Sequence, residues 1–400
     1  MLICDITQSY AAISGGIKTY ILEKKKFIAH YTHGEHLLII PGAENSIKHD
    51  GRFITCTVKA PMVPNYKPYR FMFNMRQVYR LLRTFQPDVI EFASPFILPW
   101  PIFLYRRNSK CLVTGYYHTD FPRAYIKDNL PTKTPRILAD FLEKTADAYA
   151  KLVYRQCDAV FSGSPSYLQQ LKKWQLPKVR FVPLGVDLIT FNPDKRDVKL
   201  RKELGIDTTD KLLIYCGRLG PEKQIGVLLN AIKKLPANAK IKTLIVGDGP
   251  LREHVEQEVT QNASLFFRPY ETSRNALARI LASADVFVTA APHETFGLLI
   301  LEAQACGLPV VGVHSGALID RVKHGTGVLC ESNNPTSLAS TINEFLSKDV
   351  QRMGTSSRLH VEKSYSWNRT FTLLLKIYRG LQVDHATMEK EEHVHVQVAQ

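Results

Sequence analysis

At 400 residues the chain is too long for one ordinary hydrophobic core, which predicts two domains of similar size. Its 45% hydrophobic content is ordinary for a soluble globular protein, and the run FASPFILPWPIFLY at 92–105 is too short and too proline-broken to span a bilayer. The formal charge of +15 is concentrated in the first half, where residues 1–185 hold 26 Lys+Arg against 13 Asp+Glu, while the rest hold 26 against 24. Such a field favours an anionic partner (nucleic acid, an acidic membrane surface or a phosphorylated substrate), with a merely solvated basic surface as the alternative. Cys4, Cys56, Cys111, Cys157, Cys216, Cys306 and Cys330 are scattered without a C-x-x-C pair. That fits neither a disulfide framework nor a zinc site and favours a reducing cytosol. Met1 runs almost straight into LICDI, with no basic-then-apolar leader.

Residues 2–6 read as a first strand, and Gly15-Gly16 precede a helical pattern beginning near Ile17. Paired glycines let backbone amides approach a phosphate, although they also serve ordinary turns. The loop lacks G-x-G-x-x-G, which argues against a nicotinamide or flavin site. HLLIIP (36–41), RFITCTV (52–58), the helix 74–85 and PDVIEFA (87–93) follow. Arg76, Arg80 and Arg83 share one face of that helix, a pattern that a solvated basic face shows as well. CLVTGYYHTDFPR (111–123) is a buried strand ending at His118, Thr119 and Asp120, with Arg123 just beyond. A histidine at the carboxyl edge of a parallel sheet is a candidate catalytic group, a packed structural histidine being the other reading. Helical sequence fills 135–156, CDAVFSGS (157–164) is a short strand, and FVPLGVDLITFNP (181–193) is a Pro- and Gly-containing stretch after the last strand of the first half.

The second half repeats the alternation. KLLIYCGRLGPEKQIGVLLNAI (211–232) is strand, loop and helix, with Arg218 and Lys223 flanking a glycine turn. Two cations there suit a diphosphate, and two surface cations are the bland alternative. KTLIVGDGP (242–250) and LFFRPY (265–270) are further strand ends, and Tyr270 suits either a base-stacking or a packing role. DVFVTA (285–290) is a buried strand stopped by Pro292, and HETFGLLILEAQACG (293–307) is a loop and helix. Glu294 falls in that loop, where capping or dipole matching would also explain it. Glu302 lies one turn inside a helix that is apolar on nearly every face, so it needs strong donors; a ribose diol supplies two hydroxyls. The helix-start amides at Gly297 to Leu299 suit a phosphate. A helix near 335–347 and an amphipathic helix at 364–381 close the fold. The tail from about 384, with His385, His393 and His395, lacks apolar periodicity and is expected to be disordered, with no role for its histidines.

The pair Glu294 and Glu302, continued by LEAQACGLPVV, resembles the E-x7-E signature of retaining glycosyltransferase family 4. GRLGPEK matches that family's G-R-x-x-x-E-K pattern, and Gly15-Gly16, the His118-Thr119 segment, Asp187 and Phe191 stand in corresponding places. The likeness is greatest to the branch with sulfoquinovosyl-, lipid mannosyl- and glucosyltransferases. It implies an α/β GT-B architecture, two Rossmann-like domains facing a cleft: an acceptor-side domain at 1–187, a donor domain at 188–365, a terminal helix at 366–382 crossing back to the first domain, and a disordered tail at 383–400. The implied activity moves a hexose from a nucleotide sugar of the GDP-mannose or UDP-glucose type, by front-face attack in which the diphosphate helps to deprotonate the acceptor. Glu302 would hold the ribose. Arg218 and Lys223, with Gly15, Gly16 and the amides near Leu298, would hold the diphosphate, and Glu222 would steady Lys223. Glu294 with the Phe296 and Gly297 backbone would hold the sugar, and His118 would support it beside the reacting carbon. Asp120 and Arg123 would fall near the acceptor. Neither a covalent nucleophile nor a metal or other cofactor is expected.

Where many members read E-G-F-G, this chain has Thr295, a side chain expected to narrow the rim of the sugar pocket. The basic first half, with Tyr66, Lys67, Tyr69, Arg70, Phe71, Trp100, Phe103, Tyr105, Arg106 and Arg107, suggests a lipid or lipid-linked glycan acceptor met at an anionic membrane. That predicts a cytoplasmic protein, peripheral at the inner face of the cytoplasmic membrane, with no nucleic-acid partner. A soluble acceptor, a phosphorylase or epimerase on the same fold, and a non-catalytic protein binding nucleic acid or another anionic surface are the alternatives.

Overall fold

A computed structural model describes residues 1–11, 15–64, 68–126, 130, 134–176, 178–236 and 240–398. Tyr66 and Lys67 therefore lie outside the described residues. The first domain carries β1 (Leu2–Ile6), β2 (Glu35–Gly42), β3 (Ser46–Asp50), β4 (Phe53–Lys59), β5 (Val89–Phe92), β6 (Leu112–Tyr116), β7 (Ala159–Ser162) and β8 (Val179–Phe181). They form one sheet in the order β3-β4-β2-β1-β5-β6-β7-β8, parallel except for the edge strand β3. Its helices are α1 (Gly16–Tyr31), α2 (Met75–Phe85), α3 (Pro99–Arg106), α4 (Arg136–Tyr154) and α5 (Pro165–Lys173). Central strands such as β2 are buried along nearly their whole length because helices cover both faces, so they read as continuous apolar runs.

The second domain carries β9 (Lys211–Cys216), β10 (Ile241–Val246), β11 (Leu265–Arg268), β12 (Val286–Val288), β13 (Val310–Val313) and β14 (Gly327–Cys330). All are parallel, in the order β11-β10-β9-β12-β13-β14. Around them lie α6 (Val198–Glu203), α7 (Ile225–Lys233), α8 (Arg252–Gln261), α9 (Arg274–Ala282), α10 (Leu298–Ala305), α11 (Leu318–Arg321), α12 (Pro335–Leu346) and α13 (Val350–Ser364). In both sheets the chain reverses its winding at the middle, beside β1 and beside β9, and such switch points open a crevice at the strands' carboxyl ends. The loops singled out from the sequence leave the sheets at those ends.

The last helix, α14 (Trp367–Val398), returns to the first domain, where Phe371 packs on Phe27 and Tyr20 and the Tyr378 hydroxyl donates to Glu91 at 2.7 Å. It also corrects an expectation. Residues 383–398 are helical, because ATMEKEEHVHV is built from helix-compatible residues with no Gly or Pro to stop it. Among the elements not read from the sequence are α5, α6, α8, α9 and α13, together with β3, whose SIKHD is a mostly exposed edge strand, and α3, where Pro99 and Pro101 sit in the first turn, the part of a helix that tolerates proline. All seven cysteines are buried and free. Among the described residues no helix is long and apolar enough to cross a membrane.

Candidate active site

Loops from both sheets meet across the crevice. After β9, Gly217 adopts a backbone (φ +150°) that favours glycine, and the turn packs so closely on the Gly247–Gly249 turn that a Cβ at Gly247 would lie 1.9 Å from the Gly217 carbonyl. This tight pair of turns presents Arg218 and Lys223. Arg218 bonds Glu222 at 3.3 Å and lies 5.8 Å over the Tyr69 ring of the first domain. Lys223 places its ammonium 2.6 Å from Oε2 of Glu294. The expected Glu222–Lys223 support is therefore replaced: Glu222 takes Arg218, its neighbour at i–4, and Lys223 reaches across to Glu294.

Beyond β12 the loop 293–297 is held by its own backbone. The Glu294 carbonyl accepts from the Ala317 amide at 2.7 Å, and Gly316 (φ +54°) lies where any Cβ would meet that carbonyl at 2.8 Å. Gly297 starts α10 in the left-handed region and no side chain caps it, so the first amides of α10 lack partners within the helix. Gly16 abuts this start, an added Cβ there being 4.0 Å from Leu298, while Gly15 faces open space. The glycine pair, an uncapped helix start and two cations thus surround one region, an arrangement suited to a diphosphate.

Glu302 is 2% exposed and accepts from Nη2 of Arg274 at Oε1, 2.8 Å; among the described residues no donor is placed on Oε2. Burial pushes its carboxyl above the ordinary range, with Arg274 pulling the other way. Arg274 lies 4.5 Å over the Phe191 ring, and Tyr270 is half-buried close enough to feel both Arg274 and Glu302. Sequence reasoning missed Arg274, because an arginine opening an ordinary helix carries no motif; only the need of Glu302 for a donor pointed to it.

Across the crevice, His118 stacks on Tyr116 at 3.9 Å with an 8° interplanar angle and meets the edge of Tyr20 at 5.0 Å. Burial, then the Lys24 charge, push its imidazole down to about 3, with Asp5 opposing, so it is neutral at physiological pH. It can offer or accept a hydrogen bond there but not a positive charge. Thr295 is buried and donates its hydroxyl to the His118 carbonyl, so this side chain faces first-domain backbone rather than trimming a pocket rim. Asp120 accepts from Tyr117 at 2.9 Å and from Arg123 at 3.3 Å, and Arg123 also bonds Glu143 at 3.0 Å. Burial pushes the Asp120 carboxyl up, and Arg123, Tyr117 and the nearby His293 counter it. A cavity of about 420 Å³ opens beside Arg123, lined by Asp147, Gln169, Gln170, Lys173 and Trp174 among others.

The sequence matches two family descriptions in succession: Glycosyltransferase Family 4 over residues 14–189 and Glycosyl transferases group 1 over residues 197–360. It is 29% identical, over 96% of this chain and 97% of the relative, to a GDP-mannose-dependent alpha-(1-6)-phosphatidylinositol dimannoside mannosyltransferase from Mycobacterium tuberculosis. It is 27% identical to the sulfoquinovosyl transferase SQD2 of Arabidopsis thaliana, over 72% of this chain and 56% of that one. Among solved structures, the sucrose-phosphate synthase of Thermosynechococcus elongatus superposes with a TM-score of 0.79 at 19% identity, covering 96% of this chain and 99% of the other.

Proposed function

Because the chain belongs to the family 4 glycosyltransferases and has their two-domain GT-B fold, we propose that it transfers mannose from GDP-mannose, with retention, to a lipid or lipid-linked glycan acceptor at a membrane surface. The observation that carries this is the meeting of Arg218, Lys223, Glu294, Glu302 and Gly16 around one crevice, with His118 facing them. Likeness to the mannosyltransferase over nearly the whole chain supports the donor and the lipid acceptor.

In this reading Glu302 accepts from the ribose diol at Oε2 while Arg274 holds Oε1. Arg218, Lys223 and the uncapped start of α10 neutralise the departing diphosphate, so no divalent metal is needed. Glu294, with the Phe296 and Gly297 backbone, holds the sugar, and neutral His118 supports it beside the reacting carbon. The bond from that carbon to the diphosphate breaks as the acceptor oxygen bonds the same face, and the acceptor's proton passes to a diphosphate oxygen. The cavity beside Arg123, lined by the Gln169 and Gln170 amides, the Asp147 carboxylate, the Lys173 ammonium and the Trp174 ring, suits the sugar-rich end of an acceptor. Glu302→Ala should weaken GDP-mannose binding roughly ten- to a hundredfold, since a hydrogen bond to a charged group contributes about 1.5–3 kcal/mol. Unchanged affinity, measured by calorimetry on the folded variant, would remove the ribose assignment.

The membrane contact is best supported by α4, where Ile137 (86% exposed), Leu138 and Phe141 stand in solvent beside exposed Arg136 and Lys144. The neighbouring α3 adds exposed Leu104 and Trp100, whose indole donates to Tyr149 of α4 at 3.0 Å. Two copies of this face would oppose like charges, whereas an anionic bilayer takes both its cations and its apolar groups. Phe103 and Tyr105, suggested from sequence for the headgroup layer, are instead core residues, since they face inward from α3. A panel of nucleotide sugars, scored by released nucleoside diphosphate with phosphatidylinositol mannosides as acceptor and with and without EDTA, tests the whole. GDP-mannose should lead and EDTA should leave the rate intact; a UDP-sugar in the lead, or manganese-reversible loss, would overturn those parts. Ile137→Ser with Phe141→Ser should lower sedimentation with anionic liposomes more than reversing Arg76, Arg80 and Arg83 does, and equal recovery with neutral vesicles at low salt would exclude the surface.

A further inference from the structure

Arg321 is a guanidinium only 1% exposed, buried where the two domains meet. It donates Nη2 to the Gly163 carbonyl of the first domain at 2.8 Å, Nε to the Phe296 carbonyl at 2.8 Å and Nη1 to the Tyr365 hydroxyl at 2.6 Å. Its plane lies 4.1 Å over the Phe296 ring, and that ring fills the space at Gly163, where an added Cβ would come within 2.6 Å. Next to it, Asp320 accepts from the Ser164 hydroxyl and, at 3.1 Å, from the Ser166 amide. Thr295, between Glu294 and Phe296, donates to the His118 carbonyl.

A buried cation is costly, and an apolar residue would fill the same volume more cheaply. What Arg321 supplies instead is geometry: a rigid fork whose Nε and Nη2 join the backbone of the loop holding Glu294 to the strand-end loop of β7, while Nη1 anchors the fork on Tyr365. Thr295 fixes the same loop to the end of β6. We propose that Arg321 and Thr295 are positioning residues for the transfer step. They tie loop 293–297 to the first domain so that Glu294 and His118 face one sugar only while the domains are together. This rests on the sugar-holding roles given above to those two residues.

Thr295→Val keeps shape and volume but deletes the hydroxyl, Thr295→Ser restores it, and Arg321→Lys keeps charge but loses the fork. Thr295→Val should bind GDP within about twofold of the parent yet lose about ten- to a hundredfold in kcat, the scale of a roughly 1 Å misplacement. The share of GDP-mannose lost to water should rise, and Thr295→Ser should recover both. A kcat within twofold of the parent, or a fall that serine does not repair, overturns the proposal. Small-angle scattering with GDP decides the joint independently of catalysis. Both Thr295→Val and Arg321→Lys should have a larger radius of gyration than the parent, and equal radii would overturn the joint even if no sugar donor proves active.

Discussion

Replacing Lys223 by Met should lower kcat by about 10²–10³-fold, the loss typical of removing one preorganised donor from a developing anion. The ammonium sits on the Glu294 carboxylate at 2.6 Å, and both side chains are about three-quarters buried. On the roles proposed above, the substitution removes charge from the leaving diphosphate and also frees the carboxylate assigned to the sugar. The two losses separate experimentally. Lys223→Met with Glu294→Gln relieves the unpaired carboxylate, so the double variant should be slower than Glu294→Gln alone by the diphosphate contribution only. If Lys223→Met falls no more than tenfold, or if its deficit vanishes entirely in the Glu294→Gln background, the lysine serves the carboxylate and not the leaving group.

How much of this was legible in the sequence depends on how local each signal is. Strands β2, β6 and β9 announce themselves because burial on both faces writes a continuous apolar run, and Glu302 stands out because a carboxylate in LLILEAQA has no local partner. The same clue pointed to a donor without naming it. Arg274 is 28 positions away and meets Glu302 only because α9 and α10 pack side by side. Arg321 reaches back 158 positions to Gly163, a relation that exists only once both domains have folded. Edge strand β3 was hidden because an exposed strand needs no apolar pattern. For the surface of the first domain, charge gave the sign but not the place. Arg76, Arg80 and Arg83 do share an exposed face, but α2 buries its apolar side, whereas α4 leaves apolar residues in solvent beside its cations. Only burial, which composition does not contain, separates those two helices.

Behind His118 lies a wholly enclosed charge network, and breaking it at its centre should cost more stability than any other single change discussed. Lys24, 2% exposed, donates to Asp5 and to Glu91, each at 2.7 Å. His36 meets the other oxygen of Asp5 at 2.7 Å, Tyr20 bonds Glu91 at 2.9 Å, and Tyr378 of α14 bonds the other Glu91 oxygen at 2.7 Å. Burial alone would lower the Lys24 ammonium, but Asp5 and Glu91 together lift it above its ordinary range. Burial also drives the two carboxyls upward; Lys24 with His36 nevertheless holds Asp5 below the ordinary range, while Glu91 stays above it. Lys24→Met leaves two carboxylates facing each other without a counter-charge, which should destabilise the first domain by about 3–5 kcal/mol. At about 2–4 °C per kcal/mol for a domain of 150–250 residues, calorimetry should show a clear drop in its Tm. Lys24→Met combined with Asp5→Asn and Glu91→Gln should recover much of that loss, because the uncompensated charge, not the missing contact, is the larger cost. Hydrogen exchange adds a local signature. With Glu91 disturbed, the Tyr378 bond weakens, so amides around 370–381 of α14 should exchange faster than those of the second-domain sheet. A Lys24→Met protein that melts within 2 °C of the parent, roughly 1 kcal/mol on that scale, would mean that water or a rearranged carboxylate already supplies what the lysine gives.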